Sequence, residues 1–337
     1  MEEKRPIDRK RDSAGTAEIG TKEDGAITST MKIGERLFFI KERSIYEFVM
    51  ADDVDPNRTN IDLPNNMHKL IATQGSDSEI IGRTILTAKR LFQKELFPAE
   101  LNINHALELT LELVQELIVF DDEVKSYLEQ ETKVIDEYEE RKGEKLSFII
   151  PSISNVHTRC KTIFQKADHI SQILMEIIII FNPGTSLNKQ SQFINLHEIF
   201  KTKYVENDSF TKFIEDTLEF FEIIRGLRNC LDHRLKNVDV KDFEIQVNSN
   251  IISPTIEMDY RKAKLEREAL SSFLPMVKEN LMTIFENTIA YLADRGVLKQ
   301  RIVSGQVRLV PEEMRINKFI KFSYWLPLGE GGFYDQK

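Results

Sequence analysis

The sequence predicts a mainly α fold, a helical bundle carrying short β hairpins and a small C-terminal β segment. Three observations point there. Glycine (14) and proline (10) are sparse in 337 residues, so little of the chain is punctuated by turns. Long runs place apolar residues at helical spacing, and four of these runs fall in the middle of the chain. Helices of similar length with one apolar stripe each bury that stripe most readily against one another.

Taken in order, residues 1–30 are charged, small and non-periodic, with Asp8-Arg9-Lys10-Arg11-Asp12 at their centre. Such a composition buries too little apolar surface to offset ordering, and a disordered tail is expected. Residues 31–98 form an N-terminal ordered segment. Leu37-Phe38-Phe39-Ile40 reads as a short strand or a helix start, and turn chemistry follows at residues 53–60 and 63–66. Ser76 and Glu79 make a capping-box pattern ahead of an apolar run through Phe92.

Residues 99–296 read as one helical domain. A long helix from Pro98 to about Lys142 presents Leu107, Leu111, Val114, Leu117 and Ile118 on one face. Its later part is acidic, and a solvated face explains that charge more simply than a ligand site. A second helix, from about Asn155 to Phe181, stops at Asn182-Pro183-Gly184. A short helix near 196–204 and a third long one from Ser209 to Lys236 come next. Residues 242–252 suggest a hairpin around Asn248-Ser249-Asn250. The fourth long helix is expected from Tyr260 to Asp294. Residues 297–337 favour strands, with a turn at Ser304-Gly305. In that stretch Arg308, Arg315, Lys318 and Lys321 lie among Phe319, Phe322, Tyr324 and Trp325. This is either an RNA platform of charge and stacking surface or the outer face of a half-buried sheet.

A formal net charge of -9 argues against a surface devoted to coating nucleic acid, while leaving room for a local basic site. Two cysteines are too few for a disulfide framework, which points to a reducing compartment. The N-terminus lacks the apolar stretch of a secretory signal, and the longest apolar run (residues 173–181) is far short of a membrane span. A cytoplasmic location without membrane contact is expected.

The densest chemistry in the chain is Arg225-Gly226-Leu227-Arg228-Asn229-Cys230-Leu231-Asp232-His233-Arg234, at the end of the third long helix. At roughly 100° per residue, Phe220, Ile223, Ile224, Leu227, Leu231 and Leu235 fall on one stripe. Arg225, Asn229, Asp232 and His233 fall opposite, with Arg228 at the margin. Histidine can take or give a proton near neutral pH, and a guanidinium forks onto phosphate oxygens. Together they supply one proton-transfer group and a charge clamp for a phosphate without a metal, and a second copy across a two-fold axis would supply a second proton-transfer group.

An arginine, a polar residue and a histidine after four intervening positions, on a helix of a bundle, resembles the signature of the HEPN superfamily. The motif here is Arg228-Asn229-Cys230-Leu231-Asp232-His233, and the resemblance covers roughly residues 99–296. What it implies is a metal-independent endoribonuclease, of the kind found in toxin–antitoxin and phage-defence systems, that needs no cofactor. By the same resemblance Arg228 would hold the scissile phosphate, His233 would act as acid or base, and Asn229 would orient one of them. Arg225 and Arg234 are further candidates for phosphate or RNA contact. HEPN proteins pair so that two motifs face one another, so a homodimer through the motif face is expected, with RNA as substrate and an antitoxin protein as a further partner. Members of the superfamily that bind nucleotide, RNA or protein without cutting provide the alternative.

A third reading uses different atoms. His157 and Cys160, with Cys230 and His233, form two His/Cys pairs of matching spacing, a Cys2His2 zinc set on paper. It competes with catalysis, because a zinc-bound His233 could not move a proton.

Overall fold

The structure is a computed structural model that describes residues 4–13, 16–142, 149–298, 305–328 and 332–334. In chain order its elements begin with α1 (Pro6–Arg11), β1 (Ile27–Ile33), β2 (Arg36–Lys41), β3 (Ile45–Met50), α2 (Ala51–Val54) and β4 (Asn66–Ala72). There follow α3 (Glu79–Ile81), α4 (Thr87–Leu91), α5 (Ile103–Arg141), α6 (Val156–Ile180), α7 (Phe193–Lys203) and α8 (Ser209–Asp232). Next come β5 (Val238–Lys241), β6 (Glu244–Ile245), β7 (Ile251–Ile252), β8 (Thr255–Tyr260), β9 (Ala263–Ala269) and α9 (Leu270–Gly296). The last are β10 (Gln306–Leu309), β11 (Phe322–Leu326) and β12 (Phe333–Tyr334).

This is a mixed α/β fold and not the mainly α bundle the composition suggested: 50% is helix and 18% strand. The described strands make antiparallel sheets of four, three, three and two strands. The chain divides into two compact units, Met1–Leu111 with Gly296–Lys337, and Glu112–Arg295. The segments expected as separate pieces at 31–98 and 297–337 thus fall in one unit.

In the first unit, β1 to β4 form a meander in sequence order. Gly34, at φ 59°, turns β1 into β2 through a two-residue loop between the paired Ile33 and Arg36. Ile33, Phe38, Ile40 and Ile45 bury completely on one face. Between α3 and α4 the helix opens into a π turn at Gly82–Leu86, where a Cβ on Gly82 would stand 2.4 Å from Phe319 Cβ. The C-terminal strands close against this helix: Tyr324 Oη donates to the Leu91 carbonyl (2.7 Å) and Arg90 Nε to Ser323 Oγ (2.9 Å).

The tail expected to be disordered contains α1. Its charges are spent on pairing rather than solvation. Arg58 reaches Asp8, Asp12 and Asp52 at 3.3, 2.8 and 2.7 Å, and the buried Arg11 donates to the Asn60 carbonyl at 3.2 Å. Ile7 adds an apolar anchor.

In the second unit the expected helices are present, and α8 packs against α6, α7 and α9. Its N-cap is Asp208, whose carboxylate accepts the Thr211 N–H at 2.8 Å. Along one side it packs on α6, and from its start to its middle it meets α7 through Phe200–Phe210 and Phe193–Phe221. Toward its C-terminus it meets β8 and β9 at Gly226, with β5 also against it. Gly226 permits the approach of β8, since a Cβ there would lie 2.8 Å from Met258 Cε.

The helix expected from Tyr260 starts ten residues later, at Leu270. Residues 263–269 have helix-forming composition, yet they pair as β9 with β8 around the Arg261-Lys262 turn, with Arg261 at φ 59°. Tertiary pairing overrides local propensity here. The hairpin at 242–252 is present as β6 and β7.

Candidate functional site

The site grows out of the C-terminal turn of α8. The helix stops in a Schellman arrangement: His233 is the C-cap, Arg234 takes the left-handed conformation (φ 51°), and the Leu235 N–H reaches back to the Cys230 carbonyl at 2.9 Å. Glycine is the usual residue at that left-handed position, and a side chain there costs about 1 kcal/mol or more. The chain keeps an arginine.

The helical-wheel expectation holds for Ile224, Leu227 and Leu231, which are buried. The buried sector is wider than expected, because β8 and β9 cover Gly226 and α8 also buries Cys230. Phe220, Ile223 and Leu235 are half-buried instead.

Arg228 does not sit at an outer margin. It turns toward α6 and lies between two carboxylates: its Nε is 3.1 Å from Asp232 Oδ2 and 3.7 Å from Asp168 Oδ2. That Nε makes no hydrogen bond among the described residues, so the contacts are Coulombic. Its Nη1 donates to Asn229 Oδ1 at 3.0 Å. The acids are themselves held. Asp168, only 3% exposed, accepts from Gln172 Nε2 at 2.6 Å. Asp232 accepts from Gln165 Nε2 at 2.6 Å and is 3.4 Å from Lys161 Nζ. An Arg–Asp–Gln network thus fixes the guanidinium to α6.

His233, Arg225 and Arg234 contrast with it. All three are exposed, and none makes a side-chain hydrogen bond or ion pair among the described residues. Asn229 is half-buried, and with Oδ1 occupied by Arg228 its amide N–H2 remains available as a donor. One helix end therefore offers an imidazole free at both nitrogens, two uncommitted guanidiniums and one oriented guanidinium.

A concavity of about 310 Å³ opens beside Arg225 and Asn229, and the β8–β9 turn supplies its far wall with Tyr260, Arg261 and Lys262. Sequence reasoning missed these three, because they were placed inside a helix. Arg-Lys after a tyrosine between two alternating stretches was the available signal. Asp168, Gln165 and Gln172 were missed for another reason: nothing in their own spacing links them to a motif sixty residues away.

The zinc set does not assemble. Cys160 and Cys230 are 1% and 0% exposed, while His157 and His233 lie at the surface. Burial pushes the Cys160 thiol up to about 12 and raises that of Cys230, which disfavours the thiolate a metal needs. Among the described residues no three His, Cys, Asp or Glu side chains come together as a metal site would require.

In the C-terminal segment the basic and aromatic side chains are partly consumed by the fold. Arg308 stacks over Trp325 at 3.7 Å, Arg315 Nε donates to the Val310 carbonyl, and Tyr324 is buried. The Ser304 side of the expected turn lies outside the described residues. A cavity of about 740 Å³ in the same unit contains Lys89, whose ammonium donates to Ser29 Oγ at 2.9 Å and whose pKa burial lowers.

No helix among the described residues is long and apolar enough to cross a membrane. No family model, curated protein or solved structure matches the chain.

Proposed function

We propose that the chain is a metal-independent endoribonuclease of HEPN type, with His233 as the proton-transfer group. The observation that carries the reading is the composition of one helix end: an exposed imidazole with no hydrogen-bond or ion-pair partner among the described residues, set among Arg225, Arg228 and Arg234. In the reaction, the 2′-hydroxyl loses its proton to a base as its oxygen bonds to the adjacent phosphorus. The P–O5′ bond breaks and the 5′ oxygen takes a proton from an acid, leaving a 2′,3′-cyclic phosphate and a 5′-hydroxyl. Arginine charge stabilises the phosphorane between these states.

One histidine provides one of the two proton roles at a time. A second copy of the chain across a two-fold axis would provide the other, which is why a homodimer through this face belongs to the proposal. RNA is then the partner of the site, and the toxin or phage-defence setting, with an antitoxin protein, follows from the family resemblance alone.

Within this reading the roles of the arginines shift from the sequence expectation. Arg228 is already neutralised by Asp168 and Asp232, so its contribution is to hold Asn229 and the helix end in place, with a single free edge toward phosphate. Arg225 and Arg234 form no ion pair among the described residues. The same neutralisation favours one alternative, a HEPN-type module that binds RNA or nucleotide without cutting it. Digestion of RNA in EDTA by wild-type protein and His233→Ala separates the two: cleavage that needs His233 establishes the first, and RNA binding without cleavage establishes the second.

A further inference from the structure

The concavity beside the motif has features that the cleavage chemistry does not use. Tyr260, Arg261 and Lys262 come from the β8–β9 turn, and Glu222 and Arg225 come from α8, about two turns and one turn before Asn229. The Arg261 guanidinium lies 4.9 Å from the centre of the Tyr260 ring, so the two form a paired flat surface of mixed cation and π character. Lys262, Arg225 and Glu222 are exposed and make no hydrogen bond or ion pair among the described residues. Three cations and a tyrosine therefore line the same hollow as one carboxylate, Glu222, with which none of them forms an ion pair.

A cation-lined hollow of about 310 Å³ is at the lower end of the size that holds a small ligand. An aromatic or guanidinium plane with neighbouring cations is the usual recognition surface for an unpaired nucleotide: the base stacks and the phosphate is neutralised. The carboxylate then decides which base. An ionised carboxylate has only acceptors, and it pairs best with two N–H donors side by side. Of the four RNA bases, guanine alone presents such a pair on its Watson–Crick edge, at N1 and the N2 amino group. Adenine, cytosine and uracil set an acceptor beside their donor and would be repelled there.

We infer that this concavity is a guanine-selective nucleotide subsite, with the base stacked on Tyr260 and Arg261, its N1 and N2 donors on Glu222, and an adjacent phosphate on Arg225 and Lys262. It rests on the proposal that the neighbouring helix end receives RNA, and it adds base selectivity to that site. Arg225 links the two, because it borders the concavity and lies four residues before Asn229.

The test uses the full chain carrying His233→Ala, so that RNA is not consumed. Fluorescence anisotropy measures binding of short uridine oligomers that contain one guanosine, one inosine or one adenosine. Inosine retains N1–H and lacks the N2 amino group. Guanosine is expected to bind about tenfold or more tightly than adenosine, with inosine between them, the scale of hydrogen bonds to a charged group. Glu222→Gln should erase the preference of guanosine over inosine. Tyr260→Ala should weaken all three oligomers by about tenfold, and Tyr260→Phe should restore binding. Equal affinity for the three oligomers, or a preference that survives Glu222→Gln, would overturn the inference.

Mapping cuts made by the wild-type protein keeps the two proposals apart. His233-dependent cutting without regard to guanosine leaves the ribonuclease standing and removes the subsite. Guanosine-selective binding that depends on Glu222, in a chain that never cuts, does the reverse.

Discussion

Replacing Asp168 by asparagine keeps the side-chain shape and the acceptor for Gln172 while removing the charge 3.7 Å from Arg228. Breaking a deeply buried ion pair by removing one partner costs about 3–5 kcal/mol. Two features lower that figure here. A third of the Arg228 side chain reaches solvent, and Asp232 stays 3.1 Å from its Nε. The expected loss is therefore about 1–2 kcal/mol, in the range of a hydrogen bond or contact to a charged group. In a unit of this size that lowers the melting temperature by about 2–4 °C per kcal/mol. Thermal unfolding followed by far-ultraviolet circular dichroism reads it, for Asp168→Asn, Arg228→Gln and the double variant. Coupling of about 1 kcal/mol between the two positions is expected. Additive single effects, or an Asp168→Asn protein as stable as the parent, would refute the picture of a guanidinium fixed to α6 by this network.

Two further outcomes follow from the structure. Arg234→Gly relieves a left-handed arginine, so stability should hold or rise by up to about 1 kcal/mol while RNA affinity falls; a matched denaturation and anisotropy series measures both. Asp24 is held down to about 2, chiefly by the Thr21 backbone N–H, with Tyr46 also donating to it. A carboxylate depressed in the folded state contributes stability that is complete above its ordinary value near 4 and is lost as pH falls toward 2. Acid unfolding of the first unit should show that window, read by Trp325 fluorescence, and Asp24→Asn should be less stable at neutral pH and flatter across it.

The long helices were legible because their apolar residues recur every three or four positions and their ends carry caps, as Asp208 does for α8. The four-stranded meander was less so. Residues 27–33 bury only Met31 and Ile33, and a strand with so little apolar alternation leaves no period to read. The β9 strand was hidden by its composition, since Lys264, Leu265, Glu266 and Glu268 all favour helix and only pairing with β8 makes them extended. The charged tail misled in the opposite direction: its ordering depends on Arg58 and Asp52, some forty residues away. At the site, Arg228, Asn229 and His233 were visible as a motif, and the exposure of His233 was as expected. That Arg228 is spoken for by Asp168 was not visible, because ion pairs between helices follow from packing and leave no trace in local spacing. The concavity beside the β8–β9 turn was hidden for a different reason: helix-favouring residues after Lys262 draw Tyr260, Arg261 and Lys262 into the helix expected from Tyr260.

The most direct test of the account is digestion of several RNAs by purified wild-type protein and His233→Ala, each with and without EDTA, with the product ends identified. The expected result, for a HEPN-type ribonuclease acting through His233, is cutting in the presence of EDTA, products with 2′,3′-cyclic phosphate and 5′-hydroxyl ends, and a loss of at least about a hundredfold in rate in His233→Ala. Cleavage that EDTA abolishes, or that His233→Ala retains in full, would contradict it.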